Sequence, residues 1–235
     1  MIIFRRYSVM LADFPVGTLH ETIVNFHNTP SRFQDFQKAV KEGDKDRVAL
    51  ADSEIAFALD RESDTAVLTG LLAEGKLPLR VTHNDTKLNN ILFDDDTKKA
   101  LCILDLDTIM PGLSLYDFGD SIRFGASTGA EDETDLDKVE LDLTLFEIFT
   151  KGYLKGCAGS LTETEIRMLP MGAKLMTYEC GIRFLGDFLT GDHYFKIHRT
   201  NHNLDRARTQ FKLVADMEKK WAEMAAIVEK AASGR

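Results

Sequence analysis

The sequence predicts an α+β chain that is mainly helical, with a small β-hairpin insert. Three observations carry this. From Asp44 to Leu72, and again beyond Ser114, apolar residues recur at helical spacing. Between these regions lie short apolar runs of strand length. A polar turn, "DDTKK", separates two of those runs.

The elements follow in order. "TPSRFQDFQKAVKEG" reads as a helix, with Thr29 or Ser31 as cap, Pro30 in its first turn and Gly43 at its end. Residues 44–72 continue in a mostly helical pattern. "LPLRVTH" is a short strand ending at His83, "NILFD" is a second and "ALCILDL" a third. The spacing around "DDTKK" pairs the second and third as a hairpin. "SLYDFGDSIRFG" is a helix with Ser114 as cap. "EDETDLD" is an acidic loop or helix start, and "VELDLTLFEIFTKGYLKG" is amphipathic. Thr162 to Leu189 is long and apolar-rich, with a break or kink at Pro170. Leu204 to Ala231 forms the last helix and carries Trp221.

The 235 residues suffice for one large core or two small ones, and they show no repeat or low-complexity linker. A net charge of -9, with no basic run, excludes nucleic acid as the main partner. No apolar run reaches the roughly 20 residues needed to span a bilayer. "MIIFRRYSVMLADF" is broken by Arg5 and Arg6 and does not read as a signal peptide. Three cysteines without a close pair suggest reduced thiols and a cytoplasmic protein. Cys102 and Cys180 lie in apolar stretches and are expected in the core.

The chemistry concentrates in "VTHNDTKLNNILFDDDTKKALCILDLDTIMPGLSLYDFGDSIRFGAS". Carboxylates among buried apolar runs are costly unless a positive group sits with them. A hairpin brings the segment near Asn90 close to the strand ending at Asp105. Those two side chains form a hard-oxygen site of the kind Mg²⁺ accepts alongside phosphate oxygens. Asp85, on the intervening loop, is then free to take a proton from a hydroxyl. This is the division of labour of kinase-type phosphoryl transfer. Turn chemistry explains any one Asp or Asn here. The compound pattern, H-x-D-x-x-x-x-N, strand, turn and D-x-D, demands more than turns.

"THNDTKLNNILFD" followed by "CILDLDTIMPGLSLYDFGDSIRFG" resembles the aminoglycoside-phosphotransferase and choline-kinase-like superfamily. Within it, "DLDTIMPG" and "GIRFLGDFL" are most similar to the N-acetylhexosamine 1-kinases. "LADFPVGTLHETIVNFHNTPSRF" and "YECGIRFLGDFLTGDHYFKIHRTNHNLDRARTQF" extend the likeness from about Leu11 to Met217. The resemblance implies that Asp85 is the catalytic base. It implies that Asn90 and Asp105 are Mg²⁺ ligands, with Asp107 assisting, and that His83 supports the loop. Asp117 and Asp120 would hold the loop or cap the following helix. It also implies that Arg183 and Tyr194 contact the sugar. The competing reading of Arg183 is a ladder of salt bridges to Glu179 and Asp187 at i,i+4 spacing.

The resemblance thus implies ATP-dependent phosphorylation of the anomeric hydroxyl of an N-acetylhexosamine, with Mg²⁺ and ATP as cofactor and donor. The alternatives are a non-catalytic sugar- or metal-binding remnant and a metal-dependent hydrolase, although no second metal-binding set supports the latter. No G-x-G-x-x-G and no strand-borne lysine precede the first helix. Residues 1–235 are therefore expected to form a single C-terminal lobe of the kinase-like fold without the N-terminal ATP-binding lobe. On that reading the chain alone has little or no activity. Its open face would be covered by "MIIFRRYSVML" or by self-association.

Overall fold

The structure, a computed structural model, describes Leu11 and residues 13–234. Residues 1–10, most of the segment expected to cover an open face, lie outside the described residues. Helix α1 spans Thr29–Glu42. Its cap is Asn28, whose side chain accepts the Ser31 N–H at 3.1 Å, and not Thr29 or Ser31. Thr29 is unavailable because its hydroxyl donates to Glu179 at 2.6 Å. Pro30 sits in the first turn and Gly43 ends the helix, as the sequence predicts. The next helical stretch divides into α2 (Lys45–Leu50), α3 (Asp52–Leu59), α4 (Glu62–Thr65) and α5 (Val67–Ala73).

Four short strands follow where the sequence reading gave three: β1 (Arg80–Thr82), β2 (Ile91–Phe93), β3 (Ala100–Ile103) and β4 (Met110–Gly112). β2 and β3 form the expected hairpin. β1 instead pairs antiparallel with β4, Arg80 opposite Gly112 and Thr82 opposite Met110. A Pro-Gly pair argues against a strand interior, and Met110–Gly112 is a strand only because β1 lies beside it. Cys102, expected in the core, is exposed on β3, and Cys180 is only partly buried. Leu92, Phe93, Leu101, Leu104 and Leu106 also expose apolar side chains along the hairpin and the turn after it.

α6 spans Ser114–Gly125. Ser114 does not cap it, because its hydroxyl donates to Glu165 at 2.7 Å. The "EDETDLD" segment is a loop with one 3₁₀ turn at Leu136–Lys138. α7 (Leu143–Cys157) is capped by Asp142. The break near Pro170 separates α8 (Glu163–Arg167) from α9 (Leu169–Thr190), with Pro170 in the first turn of α9. The last helix is two, α10 (His202–Lys219) and α11 (Trp221–Ser233), turning at Lys220 so that α11 packs on α7. Among the described residues no helix is long and apolar enough to cross a membrane.

α9 is the centre of the molecule. It packs on α10, α6 and α1, and is buried along almost its whole length. Phe36, Phe118, Tyr178 and Phe188 are among the large side chains sealed in this core. α6 and α9 meet backbone to backbone at two glycines. A Cβ on Gly119 would fall on the Gly172 carbonyl, and one on Gly172 would come within 2.8 Å of the Leu115 oxygen.

Gly119→Ala is therefore expected to lower stability by about 1–3 kcal/mol, the usual effect of overpacking. The urea midpoint should fall at constant slope. An unchanged midpoint would show that the two helices can separate without loss.

Candidate active site

β1 delivers the chain into the loop His83–Asn90. Asn84 adopts a left-handed conformation (φ 65°), which asparagine tolerates better than most residues. The loop is anchored from below by Asp117, near the start of α6. Its carboxylate accepts the N–H of His83 at 3.1 Å and of Asn84 at 2.8 Å. Burial pushes the Asp117 pKa up, against the pull of those two donors. Asn84 also donates its amide to the Thr108 carbonyl at 2.9 Å, and the Thr86 hydroxyl donates to the Asp117 carbonyl at 2.6 Å. His83 is fully buried. Its Nδ1 faces the Asp85 N–H at 3.3 Å and its Nε2 faces the Leu104 carbonyl at 3.0 Å. A carbonyl can only accept, so the proton on this ring belongs on Nε2.

Asp85 stands at the mouth of the loop. Asn90 donates its amide to Asp85 Oδ2 at 2.8 Å and to the Asp85 carbonyl at 2.9 Å. Lys87 pairs with the same Oδ2 at 3.1 Å. Oδ1 is left without a protein partner among the described residues. The sequence reading missed Lys87, although it lies two positions after Asp85 in the same motif. Because the Asn90 side-chain nitrogen is committed to Asp85, its side-chain oxygen Oδ1, unpartnered among the described residues, is open to another partner. Asp105, at the end of the hairpin, also has a left-handed backbone (φ 61°). Its pKa is raised by a hydrogen bond with Asp107, by burial, and by the charges of Asp107 and Asp85. Carboxylates that repel one another in this way favour a cation between them. Among the described residues no group of three His, Cys, Asp or Glu side chains is placed to hold a metal alone. Two carboxylates and an amide oxygen fit Mg²⁺, which keeps waters and takes phosphate oxygens as its remaining ligands.

Asp85, Lys87, Asp105 and Asp107 line one cleft of about 500 Å³ with Arg183 and Tyr194. The salt-bridge ladder on α9 does not form. Glu179 turns to His27 and Thr29. Asp187 accepts the N–H groups of His193, Tyr194 and Phe195 at 2.8–2.9 Å, and the Asn203 amide at 2.9 Å. It thereby holds the loop that carries Tyr194, itself 71% exposed at the rim. Arg183 lies over the rings of Phe26 and Phe195, 5.2 and 5.6 Å from their centroids. Asp120 does not hold the loop. It pairs with buried Arg123 at 2.9 Å, which also reaches Glu131 at 2.7 Å. His27, Lys87, Arg123 and Asp187 were not singled out as site residues in the sequence. His27 and Asp187 find their partners far away along the chain or in backbone N–H groups, so no local pattern marks them.

Comparison with known proteins places the chain in a family. The model of the phosphotransferase enzyme family matches residues 16–147, more than half of the chain. The chain belongs to that family. Among solved structures it is similar to choline kinase from Cryptosporidium parvum Iowa II, with 14% identity and a TM-score of 0.52. The match covers 96% of this chain and 66% of that one. At this identity the likeness shows the fold, the mainly helical kinase-like architecture that the sequence predicts.

Asp117→Ala strands two buried N–H groups. It should cost about 2–6 kcal/mol, at roughly 1–3 per orphaned donor. Guanidinium unfolding measures it; a loss under 1 kcal/mol, of the order expected for a surface change, would mean that the loop is held by other means.

Proposed function

We propose that the protein transfers the γ-phosphoryl group of ATP to a hydroxyl of a small neutral acceptor, the anomeric hydroxyl of an N-acetylhexosamine. The observation that carries this is the common cleft. It holds Asp85, with one carboxylate oxygen unpartnered among the described residues, a hard-oxygen pair, Asp105 and Asp107, and Arg183, whose guanidinium has no ion pair among the described residues. Asp85 Oδ1 accepts the proton of the acceptor hydroxyl as its oxygen attacks phosphorus. Asn90 and Lys87, both on Oδ2, fix the carboxylate and keep Oδ1 turned outward. Asn90, Asp105 and Asp107 would hold Mg²⁺, which when bound neutralises charge on the phosphates. His83 and Asp117 keep the loop in place.

The acceptor end of the cleft offers donors to a neutral sugar. Of its carboxylates, Asp120 and Glu131 share Arg123, and Glu179 faces His27. Arg183 and Lys196 line the same end without an ion pair among the described residues. Sugar hydroxyl and acetamido oxygens find donors there. The resemblance of "DLDTIMPG" and "GIRFLGDFL" to hexosamine kinases points the same way.

None of the described strands carries a lysine to hold the ATP phosphates, so slow turnover is expected from these residues alone. A single-turnover assay, with protein in excess over γ-labelled Mg·ATP, tests the reaction. Labelled sugar 1-phosphate from N-acetylhexosamine, and none from choline, is the expected result. Label on choline alone would overturn the acceptor assignment.

Two substitutions separate the roles. Asp85→Asn keeps the shape and removes the base, and should slow transfer by roughly 10²–10⁴-fold with little change in sugar affinity. A rate within a few-fold of the parent would remove Asp85 from the chemistry. Arg183→Ala should raise the KM for the sugar and leave that for ATP unchanged. Normal kinetics with lower thermal stability would make Arg183 a packing residue.

A further inference from the structure

His27 lies in the segment before α1, and its ring is wedged between the catalytic loop and α9. Nδ1 lies 2.7 Å from Glu179 Oε1, and Nε2 lies 2.9 Å from the Asn84 carbonyl oxygen. Phe26 and Tyr116 flank the ring, with centroids at 4.5 and 5.1 Å. The arrangement differs from that of His83. A neutral imidazole has one donor and one acceptor nitrogen, and His83 meets one of each. His27 meets a carbonyl, which can only accept, and a carboxylate. Both contacts are satisfied when both ring nitrogens carry hydrogen.

We propose that His27 is a positioning residue for phosphoryl transfer: as an imidazolium it donates in two directions, to Glu179 and to the Asn84 carbonyl, and so ties the residue before Asp85 to the acceptor-binding helix α9. The inference about its charge stands on geometry alone. Its effect on rate rests on the reading of Asp85 as the base.

The neighbours agree with the charged form. Glu179 is 1% exposed, and a bare carboxylate there would be costly without a cation. Its second oxygen accepts the Thr29 hydroxyl at 2.6 Å, so both oxygens act as acceptors. Burial works against the Glu179 carboxylate, but His27, Arg183 and Thr29 together hold its pKa below the ordinary value. Burial also works against a charged His27. The charge and hydrogen bond of Glu179, and the Asn84 carbonyl, outweigh it and raise the pKa above 6.5. The titratable and charged groups facing the ring are Glu179 and Arg183 from α9 and Tyr116 and Asp117 from α6. Arg183 opposes the charge on the ring, while Glu179 favours it. The tie is thus complete below the ordinary histidine pKa and is lost as pH rises through the raised one.

Histidine ¹⁵N resonances of the intact protein test this without any substrate. The His27 signals are assigned by their loss in His27→Gln, or by their displacement in Glu179→Gln if the first variant does not fold. At pH 7 both His27 nitrogens should show protonated-ring shifts. In Glu179→Gln one nitrogen should take the shift of a bare, pyridine-type nitrogen. A pyridine-type nitrogen in the parent protein at pH 7 would overturn the proposal, since it would mean a neutral ring beside a protonated Glu179. The kinetic arm uses single-turnover transfer to N-acetylhexosamine. The parent rate should fall on the alkaline side with the pH midpoint found by resonance. His27→Gln should be slower by roughly tenfold, the worth of one hydrogen bond, and should lack that alkaline fall. An alkaline fall retained in His27→Gln would overturn the link between the tie and the rate. Failure of all phosphotransfer would count against the proposed function and leave the resonance result standing.

Discussion

The Asp117 carboxylate accepts the N–H groups of His83 and Asn84, and the position of the catalytic loop follows from those two bonds. Three short residues of β1 could not by themselves aim a side chain. The carboxylate can do so because α6 is itself immobilised, pressed against α9 where Gly119 and Gly172 let the backbones touch. The loop is therefore referenced to α9 through α6. It is referenced a second time through His27, which bridges the Asn84 carbonyl and Glu179 of α9. The two ties grip both sides of one residue: Asp117 takes the Asn84 N–H, and His27 takes its C=O. Asp85 comes next in the chain, so its freedom is set by how firmly Asn84 is held.

Charge divides the cleft into two ends. Asp85, Asp105 and Asp107 crowd one end, where a hydrogen bond with Asp107, burial and the charges of Asp107 and Asp85 raise the pKa of Asp105. At the other end Asp120 and Glu131 share Arg123, and Arg183 stands against the aromatic rings of Phe26 and Phe195. An overall charge of -9 hides this division. A cation would be drawn to the metal end.

The candidate catalytic block stands out in the sequence because the chemistry proposed for it demands fixed spacing along the chain. His83, Asp85, Asn90 and Asp105 belong to one loop and one hairpin, so a motif and a strand pattern together place them. What escaped the sequence depends on partners that are distant. β4 is a strand because β1 lies beside it, against the preference of Pro111 and Gly112. Ser114 reads as a cap until Glu165, 51 positions away, takes its hydroxyl. Glu179, Arg183 and Asp187 have ladder spacing, but each finds a better partner off the helix. His27 sits in an unremarkable polar stretch, and its two contacts are 57 and 152 positions distant. The helical body was read correctly in outline. Its divisions at Met168 and Lys220 were placed less well, since the second is set by the packing of α11 on α7.

Glu179, Arg183 and Asp187 follow one another at four-residue intervals on a single unbroken helix, yet face His27 and Thr29, the rings of Phe26 and Phe195, and the rim loop in turn. Point substitutions can alter these duties one at a time. A change in length cannot. One residue added to α9 upstream of Glu179 turns everything beyond it by about 100° and advances it by about 1.5 Å. All three side chains would leave their partners together, while the apolar stripes facing α1, α6 and α10 lost their register. The segment is thus open to variation in letters but closed to variation in number, and insertions or deletions belong instead in the loops at its two ends.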